Sequence, residues 1–318
     1  MITLLSTWTF GLTLAFVALG VFVSYKLFSF PDITTDGSFT LGAVVTAVLL
    51  SAGFDPVLAT VGGMAAGALA GTTTGLLHAG LGVEPLLSGI LVTTALASVN
   101  LVVLGRSNLP LTAVTTLFDR AAAALGSVVA AVTGSDSDLA DEAARMLFAL
   151  GCVAAACVGL YLFFRTSLGT AMRAGGDTRS MARALGRDTG GLTVAGLALA
   201  NSLTALAGGL VAQYQRFADV QMGIGMVVWG MASVFLGGAL VGPARLGGAL
   251  VAAAAGSVAF RLLVATALRA GLNPDWLKAA TALVVLAALV GPRLLARVRI
   301  APVARPLPGK AANPGSRC

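Results

Sequence analysis

The feature that most constrains this chain is a succession of apolar runs, each about as long as a bilayer is thick. An α-helix needs roughly 20 apolar residues to cross the hydrocarbon core. Nine such segments can be read, at 8–29, 39–53, 56–77, 85–104, 142–164, 191–214, 224–242, 247–270 and 276–291. The second and last are short, which predicts tilted, broken or partial crossings. Charged residues make up only 10% of the 318 positions, against roughly 25% in a soluble domain. So few charges could not cover a water-soluble fold of this size. The alternation of polar and apolar residues that marks an outer-membrane barrel is absent. The expected fold class is all-α: a polytopic transmembrane helical bundle of about nine membrane segments. Its 40 glycines would let helices approach closely. The first run lacks a basic leader and a small-residue cleavage site, so it reads as a retained helix.

Cytoplasmic loops of membrane proteins collect Lys and Arg, and that gives a direction. The 165–190 loop carries Arg165, Arg173, Arg179, Arg183 and Arg187, and the tail after Pro292 carries six basic residues and no acid. Placing both inside puts Lys26 and Arg245 inside too, and the N-terminus outside. The formal charge of +7 then reflects topology, and no nucleic-acid partner is expected. Residues 1–292 read as the transmembrane domain and 293–318 as a basic cytoplasmic tail. Residues 105–141 form a long external loop containing a surface-lying or re-entrant helix. Residues 39–77 and 224–270 both read as helix, proline-containing turn, Gly/Ala-rich helix, and they run in opposite senses. An inverted repeat, as in many transporters, would have that form.

Nothing in the chain has the spacing of a catalytic or metal site. There is one histidine, His78, and the three cysteines lack metal-type spacing. There is no phosphate-binding G-x-x-x-x-G-K-[ST] loop. If ATP powers transport, its Mg-dependent hydrolysis must occur on another polypeptide, and no cofactor is expected here. Polar residues inside the spans are the next candidates, because lipid burial disfavours them. Thr94, Ser98 and Asn100 lie on the fourth span, Asn201 and Ser202 on the sixth. A lone Ser or Thr more often bonds a neighbouring carbonyl than lines a path. The two asparagines are the stronger candidates, since a buried unpaired amide costs more.

Two segments stand out further. Phe30–Phe39 places Pro31, Asp32, Thr35, Asp36 and Gly37 directly between apolar runs, and Asp36 is positioned to cap the helix that follows. Asp32, Thr35 and Asp36 are expected at the inner mouth of a path, and Phe217, Asp219 and Gln221 at the outer mouth. In the 165–190 loop, a short amphipathic helix is expected after an N-cap at Asp177 or Thr178. Met181, Ala184 and Leu185 would share one face. Such a helix suits a groove on a cytoplasmic partner.

These residues together resemble a known family. Gly169…Arg173-Ala174-Gly175…Ala182…Gly186, followed by Leu197–Gly209, resembles the permease subunits of bacterial ABC importers of the branched-chain amino acid and ribose type. Phe30–Ala43, Pro85–Leu91, Asn108–Leu111 and Gln213–Gly225 look like its tryptophan/tyrosine-type branch. The resemblance implies a plasma-membrane permease, paired with a second copy. It implies cytoplasmic ABC ATPase subunits and an extracytoplasmic solute-binding protein as partners. It also implies that Gly169, Arg173, Gly176, Asp177, Ala182, Leu185 and Gly186 belong to the ATPase-coupling loop. The function implied is ATP-driven import of a small solute, an aromatic or other hydrophobic amino acid. The alternative class is an ion-coupled secondary transporter, which needs an ionisable group at mid-membrane. Only Arg261 reads as such a group in the sequence.

Overall fold

The structure is a computed structural model, and it describes residues 1–133, 137–177, 188–242 and 245–271, with the single positions 279 and 286. Among them are ten α-helices: α1 (Ile2–Val21, continued by a π-turn at Phe22–Leu27), α2 (Thr34–Ser51), α3 (Pro56–Ala79), α4 (Pro85–Leu104) and α5 (Leu117–Thr133). The rest are α6 (Ser137–Phe163), α7 (Ser167–Asp177), α8 (Thr189–Gln215), α9 (Met226–Val241) and α10 (Leu246–Arg269). Seven are long and apolar enough to cross a membrane, and the 16-residue α9 is an eighth apolar helix. These eight match eight of the nine expected spans. The ninth, 276–291, lies outside the described residues, as does the basic tail.

Local chemistry sets the helix ends. Asp55 accepts the Val57 N–H at 2.8 Å, with Pro56 in the first helical position of α3. Asp188 does the same for α8 through Gly190 N–H at 2.9 Å. A carboxylate at this position satisfies one of the free N–H groups of the first turn. Pro85 opens α4, and Gly105 closes it at φ +68°, a left-handed cap conformation that glycine adopts without steric cost.

α8 is the axis of the bundle, buried along most of its length. α3 lies along it through Gly67, Gly71 and Gly75, spaced every four residues on one face. A Cβ on Gly71 would overlap the Leu197 carbonyl oxygen, and one on Gly67 the Ala205 side chain. Without a hydrophobic drive between helices in lipid, this close backbone approach is what holds them. α2 crosses the same axis, with Gly42 against Ala205 and Gly208 against Phe39. α9 and α10 close on each other through Gly237 and Gly256, as α2 and α3 do through Gly42 and Gly63.

The loop after α4, expected to be external, contains more order than a surface helix alone. β1 (Asn108–Pro110) pairs antiparallel with β2 (Phe217–Asp219), joining two loops far apart in sequence. α5 folds over this end, its Phe118 and Ala121 buried. Arg120 reaches back to Asp55 at 2.7 Å, and this hydrogen bond holds the Asp55 carboxyl below its ordinary range.

Candidate functional site

The polar groups of the bundle gather where α1 breaks. After the π-turn, Ser29 takes φ +52°, and Phe30 N–H returns to the Ser24 carbonyl at 3.0 Å. Asp32 then accepts the Thr34 N–H at 2.9 Å and caps α2. The other oxygen of its carboxylate accepts from Asn201 Nδ2 at 2.7 Å. Asn201 is fully buried and sits near the middle of the 27-residue α8. The Phe30–Phe39 segment therefore starts beside His78, in the last turn of α3, and runs inward to the level where Asp32 meets Asn201. Irregular backbone at that depth is tolerated because protein groups satisfy it. Thr35 Oγ1 donates to the Asp32 carbonyl at 3.1 Å, Thr34 meets Thr74 at 2.8 Å, and Thr93 donates to the Ile33 carbonyl at 3.0 Å.

Asp36 does not cap its own helix. One turn into α2, its two oxygens accept from Gly225 N–H at 3.0 Å and Val227 N–H at 2.8 Å. It thereby caps α9, whose first turn is only partly covered. The partial positive charge of a helix N-terminus favours a carboxylate there. Backbone shape makes the contact: Gly225 sits at φ +90°, and a Cβ on Gly223 would overlap the Asp36 carbonyl oxygen. Gly223 N–H also donates to Thr40 Oγ1 at 3.1 Å. α2 and α9 thus begin side by side, each start holding one aspartate.

Directly beside this junction is a cavity of about 320 Å³. Phe10, Phe39, Phe217 and Met226 supply its apolar wall, and Asp219 and Gln221 its polar rim. The three residues expected at an outer mouth are therefore brought together, and Phe39 joins them from the segment expected at the inner one. Asp219 holds the turn by accepting the Gln221 N–H at 2.7 Å.

The other expected path residues divide. Asn100 is buried on the α2 side of α4 and donates to the Gly37 carbonyl at 3.4 Å. Its carbonyl oxygen and that of Asn201 have no hydrogen-bond partner among the described residues. Thr94 and Ser98 lie exposed on other faces of α4, and Thr94 bonds back to the Ile90 carbonyl at 2.8 Å. Ser202 is buried and donates to the Leu199 carbonyl at 2.7 Å. His78 is structural, bonded to the Val83 carbonyl at 2.8 Å with its ring against Phe30.

The loop expected to couple to an ATPase lies only partly within the described residues. Gly169, Arg173, Gly176 and Asp177 fall within α7, which Thr166 caps by accepting the Gly169 N–H at 3.2 Å. Asp177 ends a helix here, where the sequence placed it or Thr178 at a helix start. The buried Met172 anchors α7 to the core, which gives the earlier segment its own reason to be helical. Ala182, Leu185 and Gly186 lie outside the described residues.

A second polar cluster was not foreseen. Glu142, 6% exposed, accepts from Thr9 Oγ1 at 3.2 Å and Tyr214 OH at 2.7 Å, and pairs with Arg145 at 3.3 Å. Arg216 pairs with Asp119 beside it. No short motif signals the contacts of Glu142 with Thr9 and Tyr214, since they join residues from different helices.

Residues 3–297 match the family described as branched-chain amino acid transport system / permease component. The chain belongs to that permease family. It is 36% identical over 286 residues to the tyrosine transport system permease protein of Clostridioides difficile (strain R20291), covering 90% of each chain. It is also 27% identical to an uncharacterized protein of Rickettsia prowazekii (strain Madrid E) over 219 residues, 69% of this chain and 71% of that one. No solved structure matches. As a permease it is a component of a transport system.

Proposed function

We propose that this permease is the membrane subunit of an ATP-driven ABC importer, and that its solute is an aromatic or other hydrophobic amino acid. The observation that carries the reading is the cavity where Phe39, Phe217 and Met226 meet Asp219 and Gln221. Apolar walls with a few polar groups at one rim suit a small amphipathic solute. The tyrosine permease relative supports the amino-acid class. A soluble binding protein delivers the solute to this cavity from outside. A second copy completes the path, and a cytoplasmic ATPase on each copy supplies ATP and Mg. The chain itself hydrolyses nothing. The membrane is the bacterial plasma membrane, with the N-terminus outside.

A second reading has a specific observation behind it. Asp32 and Asp36 lie at mid-bundle, so ionisable groups are present there after all, where the sequence offered only Arg261. In an ion-coupled transporter such carboxylates would bind the driving cation. Each is already occupied as a helix cap, by Thr34 N–H and Asn201 on one and by Gly225 and Val227 N–H on the other. That favours a structural role. Vesicles containing the permease, its ATPase and its binding protein should take up labelled tyrosine only with ATP, and uptake should survive an uncoupler. Uptake driven by an ion gradient without ATP would reverse the choice.

A further inference from the structure

The surface between α6 and α10 contains a continuous groove that the transport reading does not use. Its deeper part, about 400 Å³, lies within the spans. Trp8, Ala154, Ala255, Ala259 and Leu262 line it, and almost no polar atom faces it. A second part, about 410 Å³, continues toward the other end, lined by Tyr161, Arg245 and Gly247. The two parts share Cys157 and Val251 as walls. From Gly247 to Leu262 the groove follows α10 for about 22 Å of helical rise. That exceeds the roughly 15 Å depth of one leaflet, so the groove is long enough to take an acyl chain.

The two ends differ in chemistry. The guanidinium of Arg165 stacks over the Tyr161 ring at 5.6 Å. Arg245 is exposed at the start of α10. Neither arginine makes an ion pair among the described residues, in contrast to Arg120, Arg145 and Arg216 at the opposite end. One end of an apolar slot thus presents two uncompensated cations. The other end presents Trp8, and no cation lines the part between.

We propose that this groove is a binding site for an anionic phospholipid, with one acyl chain between α6 and α10 and the headgroup phosphate at Arg245 and Arg165. Arginine takes phosphate oxygens through its paired N–H groups. With residues 164–188 on the cytoplasmic side, the lipid belongs to the inner leaflet, and that part rests on the proposed orientation. Charge complementarity selects this occupant over a second copy. A copy related by an axis along the membrane normal would bring its own Arg165 and Arg245 to the same level, and like charges repel.

Native mass spectrometry of the purified permease–ATPase complex tests the site, using dioleoyl phosphatidylglycerol and dioleoyl phosphatidylcholine as probes. The expected result is at least a ten-fold preference for the anionic lipid. Arg245→Gln should bring that preference close to one. Ala255→Phe, at an exposed position, should reduce retention of both lipids by filling the slot. Equal retention of the two lipids by the unaltered complex, or a preference unchanged by both variants, would overturn the proposal. So would a disulfide from Ala255→Cys to the same position in a second copy, or to a cysteine placed within 276–291, since either would mean that protein fills the groove. Lipid retention in detergent depends on neither transport nor orientation. ATPase co-purification, read in the same preparations, would fail separately if the importer reading were wrong.

Discussion

The aspartates at 32 and 36 show how much one residue decides in this molecule. Both could be picked out in the sequence as carboxylates in a helix-breaking segment. Their partners could not, because Asn201 and Gly225 lie far along the chain, and helix periodicity carries no record of contacts at that separation. Asn201 was likewise legible as an amide too costly to bury unpaired, but not as the partner of Asp32. Replacing Asn201 with Leu removes the 2.7 Å hydrogen bond and leaves a buried carboxylate underprovided. That costs about 1–3 kcal/mol, and more for a charged group. The expected outcome is lower thermal stability together with lower solute uptake. A variant that keeps both values would assign Asp32 another partner. Asp36→Asn preserves shape and removes charge from the start of α9. Helix-terminus charges are worth about 0.3–2 kcal/mol, so the variant should fold and bind its ATPase, while transport slows several-fold in vesicle assays. Wild-type uptake by this variant would mean that the junction of α2 and α9 plays no part in the transport cycle.

At the scale of elements, the spans were legible because lipid imposes one rule, a long apolar helix, and the chain obeys it eight times over. The ends were legible where a cap residue marks them, as Asp55-Pro56 and Gly105 do. α7 shows the limit. Composition pointed to a helix after Asp177, but tertiary burial of Met172 and the Thr166 cap make Ser167–Asp177 helical first. The ribbon of β1 and β2 was invisible because each strand is three residues long and its pairing is remote. The glycine stripe of α3 is legible as spacing, and the structure supplies its meaning. Gly71→Leu would drive a side chain into the Leu197 carbonyl and the Asn201 Cβ. Overpacking of this kind costs about 1–3 kcal/mol where the core can adjust. Here the obstacle is backbone, so the protein is expected to express poorly and lose the α3–α8 contact. Gly53→Ala is no fair control because φ is +85° there, whereas Gly151 and Gly159 face open space. Gly159→Leu should leave melting temperature nearly unchanged, and equal losses at Gly71 and Gly159 would show that the stripe does not hold the bundle together.

For the whole molecule, the loops sort into two ends, and the sorting tests the topology. Arg269 donates to Thr3 at 3.1 Å, Tyr214 to the Ser6 carbonyl at 3.4 Å, Arg120 pairs with Asp55, and β1 pairs with β2. These contacts gather the N-terminus, the 52–55 turn, residues 105–120, the 216–222 loop and the end of α10 at one end. The 80–84 turn, the start of α7 and Arg245 occupy the other. At the N-terminal end Arg120, Arg145 and Arg216 are each matched by an acid, namely Asp55, Glu142 and Asp119. Arg106 and Arg269 at that end have no acid partner among the described residues, and neither do Lys26, Arg165, Arg173 and Arg245 at the other. Orientation follows the count of Lys and Arg in the loops, to which nearby acids contribute little, so the direction rests on the basic 165–190 loop and the tail after Pro292. The expected orientation is therefore N-terminus outside and residue 245 inside. Cysteines introduced singly at Ser6 and at Arg245 should separate cleanly in intact cells: an impermeant thiol reagent should label the first and reach the second only after the membrane is opened. Labelling of position 245 in intact cells would invert the molecule, put the α7 end outside, and remove the basis for docking an ATPase there.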